Sequence, residues 1–214
     1  MTVFPQMMMP GGAAGFVPLI QRVSFATADA DTLTMPTHQS GDMIVMAGFS
    51  DGTQVSVGLG SGNTSISSSL NTNTSDLGMR VCYRVAASSS ETFSAMSDAD
   101  VVVAVVLRSA DGTIGFDNGA TGFGATSTDT DAKWAALTYS SGVRVLNVLG
   151  ARNAPLTSPS AHLRSGSTLL VAANTSACLA IGIGNLSGNL NSENAGSETV
   201  GSHVTRSQAI TITP

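Results

Sequence analysis

The sequence predicts an all-β protein: a two-sheet antiparallel β-sandwich, jelly-roll-like, with an extended N-terminal arm. Short runs rich in Val, Ile, Thr, Phe and Tyr recur along its 214 residues, and such runs suit half-buried strands. Asp-Gly and Ser-Gly pairs lie between several runs, where hairpins need residues that tolerate positive φ. Helical periodicity is nearly absent, because only residues 131–137 form a helix candidate and this candidate is short.

Twelve runs are predicted as strands, with bounds set by the turn signals between them. They cover residues 22–27, 42–49, 54–59, 78–85, 100–108, 113–116, 132–139, 143–149, 168–173, 178–183, 199–205 and 209–213. The run from Val101 to Leu107 is apolar at every position. This pattern indicates a central strand that is buried on both faces.

Alternation along residues 78–85 predicts one face toward the core and one away from it. The predicted core face comprises Met79, Val81, Tyr83 and Val85, and the opposite face comprises Arg80, Cys82 and Arg84.

Residues 1–20 differ in kind from residues 21–214, which form the single predicted β-sandwich domain. The segment contains three Pro, three Gly and four Met but no charged side chain. Proline removes backbone donors and disfavours helix, so the segment should be extended. Its apolar side chains predict an arm that anchors the protein on a neighbouring surface, although a disordered terminus is the alternative. The anchoring candidates are Phe4, Met7, Met8, Met9 and Phe16.

Composition excludes several functional classes. The net charge is −5 and only 11% of residues are charged, so no basic surface for nucleic acid is expected. No apolar run has the length of a membrane-spanning helix, so no membrane insertion is expected. The uncharged N-terminus lacks the basic region of a signal peptide, which predicts assembly in the cytoplasm. Cys82 and Cys178 make no disulfide framework. They are predicted to be buried, unlinked thiols, and a disulfide between two sheets is the alternative.

No catalytic, cofactor or metal site is predicted. The Gly-x-Ser-x-Gly spacing of a nucleophile elbow is missing, and no nucleophile–base or paired-carboxylate arrangement stands out, so the protein is not expected to be an enzyme. Three Asp-x-Asp pairs could offer oxygen ligands to calcium, but Asp beside strands is also ordinary turn chemistry. These pairs are Asp29/Asp31, Asp98/Asp100 and Asp129/Asp131.

Residues 60–75 and 184–198 are predicted as long loops rich in Ser, Asn, Thr and Gly. Long loops inside a compact domain are usually functional or mobile. A receptor- or glycan-binding module that uses these two loops is therefore the alternative function.

Several strand patterns resemble a β-sandwich module of tailed-bacteriophage structural proteins. The resemblance covers roughly residues 36–110 and, more faintly, 160–185, and loop 60–75 departs from it. Its segments are GDMIVMAGF at 41–49, RVCYRVA at 80–86 followed by SETF at 90–93, VVVAVVLR at 101–108 and GSTLLVA at 166–172.

This resemblance implies a non-enzymatic virion protein: a head decoration, a head fibre or a tail appendage such as a tail fibre. It implies a homo-oligomer that contacts capsid or tail proteins, and a host-surface receptor is a further partner of this class. The apolar arm of residues 1–20 fits docking on such neighbours, because extended segments that order on binding cover large surfaces and methionine packs well on irregular ones.

Overall fold

A computed structural model describes residues 20–50, 57–70, 78–109, 114–117, 131–133, 144–152, 167–173, 177–185, 194–197 and 205–213. In these ranges the protein is all-β and contains no helix. The strands are β1 (Ile20–Ala28), β2 (Met43–Ser50), β3 (Thr64–Leu70), β4 (Gly78–Val85), β5 (Val101–Ser109), β6 (Gly115–Asp117), β7 (Asp131–Lys133), β8 (Arg144–Arg152), β9 (Ser167–Ala173), β10 (Ala177–Asn185), β11 (Asn194–Ser197) and β12 (Thr205–Thr213).

The first half of the chain forms an antiparallel sheet of five strands, in the order β1-β5-β2-β4-β3. Its register is defined in the middle, where Val45 pairs with Val105 on one side and with Tyr83 on the other. The strands of the second half join in the order β6-β12-β8-β10-β9, and β11 pairs with β7. We call the sheet β1-β5-β2-β4-β3 the first sheet and the sheet β6-β12-β8-β10-β9 the second sheet.

Both faces of the first sheet are covered. All eight residues of β2 and the first seven of β5 are buried, which confirms the prediction of a strand apolar on both faces at Val101–Leu107. Because side chains alternate along a strand, the sheet carries two separate core layers. The first core layer comprises Met43, Val45, Ala47, Phe49, Met79, Val81, Val101, Val103, Val105, Leu107 and Val148, and the second comprises Ile44, Met46, Val57, Cys82, Ala86, Met96, Ala99, Val102, Ala104 and Val106.

The first core layer includes a contribution from β8. Val148 is buried within it, and Gly150 lies against the ring of Phe49. A Cβ built on Gly150 would lie only 2.0 Å from Cδ2 of Phe49, a distance that real Cβ atoms do not adopt. The absence of a side chain at Gly150 is therefore what allows β8 to approach this face.

Irregular segments cover the second core layer. Val57 and Met96 are buried in it, and Leu33, Met35 and Phe93 pack against it. Backbone hydrogen bonds fix two of these segments to each other and to the chain after β1, because Gly58 N donates to Ser97 O and Met96 N donates to Asp31 O. The first sheet is thus completed by loops on this side.

The prediction for residues 54–75 is corrected in two places. Residues 57–59 are irregular rather than strand, and the predicted loop 60–75 is non-strand at 60–63 but contains β3 at Thr64–Leu70. Val57 and Leu59 show the apolar alternation of a strand because both side chains pack on the second core layer, although their segment is irregular. β3 is rich in Ser, whose strand propensity is low, and it is specified by backbone pairing with β4 at one side of the sheet.

Three further expectations are corrected. Val85 is 58% exposed rather than in the core, because it is the last residue of β4 and its side chain extends past the first core layer. β7 agrees with the start of the predicted strand 132–139 and not with the helix candidate 131–137, whereas β11 lies inside the predicted loop 184–198. β11 is specified by pairing with β7, which local sequence patterns do not reveal. Predicted strand 199–205 lies almost entirely outside the described residues.

Candidate functional site

A group of polar side chains lies where β2 begins and where β4 and β5 end. These three chain positions meet because Met43 pairs with both Val85 and Leu107. We call this group the end cluster; it comprises His38, Gln39, Asp42, Arg84, Glu91 and Arg108.

The centre of the end cluster is a two-pronged ion pair between Asp42 and Arg108. Nε of Arg108 lies 2.6 Å from Oδ1 and Nη2 lies 2.7 Å from Oδ2 of Asp42, whose side chain is only 1% exposed. The backbone N–H of Gln39 donates to the same Oδ2 at 2.9 Å. The Asp42 carbonyl oxygen accepts from Ala86 N at 2.8 Å. Asp42 therefore joins the start of β2 to the end of β5 and to the chain after β4.

Opposing effects act on the pKa of Asp42. Burial disfavours the carboxylate and by itself would raise the pKa, but the hydrogen bonds from Arg108 and Gln39 and the positive charge of Arg108 outweigh it. The pKa of Asp42 is consequently lowered from its ordinary value, and the same hydrogen bond raises the pKa of Arg108. Asp42 is therefore an ionised acceptor at neutral pH.

His38 and Glu91 extend the end cluster toward the segment after β4. His38 is buried and its Nδ1 lies 2.7 Å from the carbonyl oxygen of Pro36, while its Nε2 accepts from Glu91 N at 3.2 Å. These partners define a neutral ring with the proton on Nδ1, because a carbonyl can only accept. The Glu91 carboxylate accepts from Ala87 N and lies 3.1 Å from Nε of Arg84.

The bonding of the end cluster limits what it can do chemically. Both oxygens of Asp42 and both ring nitrogens of His38 are occupied by neighbours within the chain. A general base or a metal ligand needs a lone pair that can be directed at a substrate or an ion. The arrangement is better suited to holding the strand ends together than to proton transfer or metal binding.

Sequence reasoning did not identify the end cluster as a site. In the sequence Asp42 and Arg108 belong to two separate strand patterns, and their pairing depends on the register of β2 against β5. The available signal is an Asp directly before one buried strand and an Arg directly after another. Such a pair predicts a contact only when the two strands are already known to be antiparallel neighbours.

Two of the three Asp-x-Asp pairs lie at the opposite end of the first sheet, beside the paired ends of β1 and β5. Asp29 and Asp31 follow β1 and Asp98 and Asp100 precede β5, and these two strands pair. Asp98 adopts a φ of 64° in the turn closed by Ala99 N and Met96 O, which is the turn chemistry that the sequence left as an alternative. Among the described residues, no group of three or more His, Cys, Asp or Glu side chains could hold a metal ion.

Cys82 is a buried free thiol in the second core layer. Burial raises the pKa of the Cys82 thiol to about 12, although Arg80 and Arg84 oppose this effect. A thiol that is protonated and enclosed in this way is a poor nucleophile. Cys178 lies in β10, where only the backbone is described.

The proposed anchoring side chains Phe4, Met7, Met8, Met9 and Phe16 lie outside the described residues. The described chain begins directly after them, at β1, which is an outer strand of the first sheet. This strand exposes two large apolar side chains, with Val23 41% and Phe25 48% exposed.

The structure and the comparisons add two general findings. Within the ranges given above, no helix is long and apolar enough to cross a membrane. Comparisons of the chain with models of known protein families, with curated proteins and with solved structures found no match.

Proposed function

We propose that this protein is a non-enzymatic structural component of a tailed-phage particle, a head decoration, head fibre or tail appendage. In this proposal the first and second sheets form a jelly-roll-like β-sandwich, and residues 1–20 dock on neighbouring capsid or tail proteins. Subunits associate with one another, and a host-surface receptor is a further partner.

The observation that carries this proposal is the place of the apolar segment in the sequence, directly before an outer strand of the described sheet. Residues 1–19 are uncharged and apolar, and they lead directly into β1, an outer strand with exposed Val23 and Phe25. An apolar surface of this kind is typical of contacts between proteins. The described sheet, covered on both faces, provides a rigid body from which such a segment can extend.

The end cluster supports the same interpretation. Its ionisable groups bind one another and the backbone, and they join the ends of β2, β4 and β5. A particle component needs a stable body more than it needs a reactive cleft, and paired charges at strand ends serve stability. The strand patterns quoted for the phage resemblance, 41–49 and 101–108, are the ones that supply Asp42 and Arg108.

The alternative of a receptor- or glycan-binding module gains no support from the described residues. It relied on two long loops, and strands β3 and β11 lie inside these segments. Tyr83, an amphipathic aromatic side chain, packs on the first core layer instead of forming an open platform for a sugar.

Deletion of residues 1–20 tests the proposal. The shortened chain should keep its β-sheet circular dichroism, because the described sheet contacts do not include this segment, apart from the terminal pair Ile20 and Ser109. It should no longer be incorporated into particles assembled with the full-length protein as a competitor. The measurement is the ratio of the two chains in purified particles.

A matched variant separates anchoring from simple loss of chain length. Replacement of Met7, Met8 and Met9 by Ser keeps the length and removes the apolar side chains, so it should also lower incorporation. Incorporation of the deleted chain at the level of the full chain would contradict the anchoring role. Absence of the full-length protein from purified particles would overturn the proposed function as a whole.

A further inference from the structure

His38 is bonded in a way that only one protonation state of its ring allows. Its side chain is buried, its Nδ1 lies 2.7 Å from the carbonyl oxygen of Pro36, and its Nε2 accepts from the backbone N–H of Glu91 at 3.2 Å. A neutral imidazole offers one donor and one acceptor, which these two partners require, whereas an imidazolium offers two donors. A proton on Nε2 would therefore face the N–H of Glu91, and the hydrogen bond between them would be lost.

The charges around His38 do not compensate for this loss. Four charged side chains share the end cluster with it and form two pairs of opposite sign, Asp42 with Arg108 and Glu91 with Arg84. The charge of an imidazolium would interact favourably with that of Asp42, but both oxygens of this carboxylate already accept hydrogen bonds from Arg108. Within the end cluster a protonated ring therefore meets no carboxylate that lacks a cation.

The hydrogen bond between Glu91 and His38 connects the segment after β4 with the segment before β2. It lies between two backbone connections of the same chain regions, one at Ala86 and one at Met96. Residues 87–90, which lie between Ala86 and Glu91, are exposed. Loss of the bond to His38 would therefore free this exposed segment on one side without separating the strands.

We propose that His38 is a pH-sensitive switch that holds segment 87–91 in place when its ring is neutral and releases the segment when the ring takes up a proton. Histidine is the side chain suited to this role, because a solvated imidazole is protonated below about pH 6.5. Since the closed arrangement accepts only the neutral ring, the equilibrium shifts toward the open segment by about tenfold for each pH unit below that value. The surface formed by residues 87–90 thus becomes pH-dependent.

Amide hydrogen exchange of the full-length protein, followed for each residue by NMR, tests the switch. In the wild type the protection factor of the Glu91 amide, which is corrected for the intrinsic pH dependence of exchange, should fall about tenfold between about pH 7.5 and about pH 5.5. In His38→Gln it should change less than about twofold, because the amide oxygen of Gln can accept from Glu91 N–H at either pH. The other two histidines of the chain provide matched controls, and His162→Gln and His203→Gln should keep the wild-type response.

The protonation state of the ring is measured separately on the wild type, so the test does not depend on the folding of His38→Gln. NMR of the ring nitrogens should show the proton on Nδ1 at neutral pH and a second proton on Nε2 as the Glu91 amide loses protection. A ring with its proton on Nε2 at neutral pH overturns the proposal, as does protection of Glu91 that is unchanged by pH. A fall in protection that persists in His38→Gln would equally reject His38 as the switch.

Discussion

Asp42 shows how one side chain connects three parts of the first sheet. It is the residue before β2, its carboxylate binds Arg108 at the end of β5, and its carbonyl oxygen binds Ala86 after β4. A carboxylate with 1% exposure is stable only when its charge is compensated. Here the compensation comes from Arg108, which is partly exposed and so retains some hydration itself.

The lowered pKa of Asp42 predicts acid sensitivity. The pKa of Asp42 is lower in the folded protein than its ordinary value of 3.8. At pH values above 3.8 the ionised carboxylate therefore makes its full contribution to the free energy of unfolding. This contribution is lost as the pH falls through the lower folded pKa. Asp42→Asn should cost about 1–3 kcal/mol of unfolding free energy at pH 7, because a hydrogen-bonded charge is removed.

Urea unfolding at a series of pH values between 7 and about 2.5 provides the measurement. Asp42→Asn should show a smaller loss of stability on acidification than the wild type. Asp29→Asn changes an exposed carboxylate after β1 and is the matched control for the removal of one negative charge. Equal slopes for Asp42→Asn and the wild type would show that Asp42 does not contribute to the acid response.

At the scale of the element, β4 shows where alternation predicts burial and where it does not. Met79, Val81 and Tyr83 lie on the first core layer as the sequence predicts, and Val85 on the same face does not. Cys82 lies on the opposite face, as the sequence predicts, but loops cover that face and the thiol is buried there. Alternation predicts which side chains share one face of a strand. Whether that face is buried depends on segments that are distant in the sequence.

The same argument explains which strands were predicted. β5 and β2 are apolar throughout because both core layers need them, so their sequences identify them without further context. β3 and β11 have few apolar side chains and are specified by their partners in the sheet. The end cluster escaped prediction for the same reason, since strand register brings Asp42 to Arg108.

Two Thr substitutions on β4 should separate buried from exposed positions. Val81→Thr places a hydroxyl in the first core layer and should lower the unfolding free energy by about 1–3 kcal/mol. Val85→Thr, on the same face and strand, should change it by less than about 0.5 kcal/mol because the side chain is exposed. Thermal or urea unfolding checks both, and similar costs at the two positions would contradict the observed burial.

At the scale of the whole molecule, the contact of Gly150 with Phe49 connects β8 to the first core layer. The sequence does not indicate which residues of β8 contact the first core layer. The sequence does not show which residue packs against a glycine in β8. Gly150 matters because it has no side chain, and only the structure shows that the ring of Phe49 fills this space. The apolar ring at Phe49 and the missing side chain at Gly150 are complementary only in three dimensions.

A double-mutant cycle should detect this contact. Gly150→Ala adds a methyl group where the ring of Phe49 lies and should cost about 1–3 kcal/mol. In the background Phe49→Leu, where the ring is replaced by a smaller side chain, the added methyl group should cost at least about 1 kcal/mol less. Unfolding free energies of the four proteins give the coupling. Strictly additive costs would show that β8 does not lie on this face.

The strand order also determines when the first sheet can form during synthesis. β2 lies between β4 and β5, and β5 is the described strand that pairs with β1, so among the described strands the partners of both early strands come later in the chain. Ile20 finds its partner only when Ser109 has been made. Until then the nascent chain can pair β2 with β4 but not with β5, and sheets built from such distant pairs fold slowly and are prone to aggregation. Yield in the cell should therefore depend on chaperones that shield β2 until β5 emerges from the ribosome.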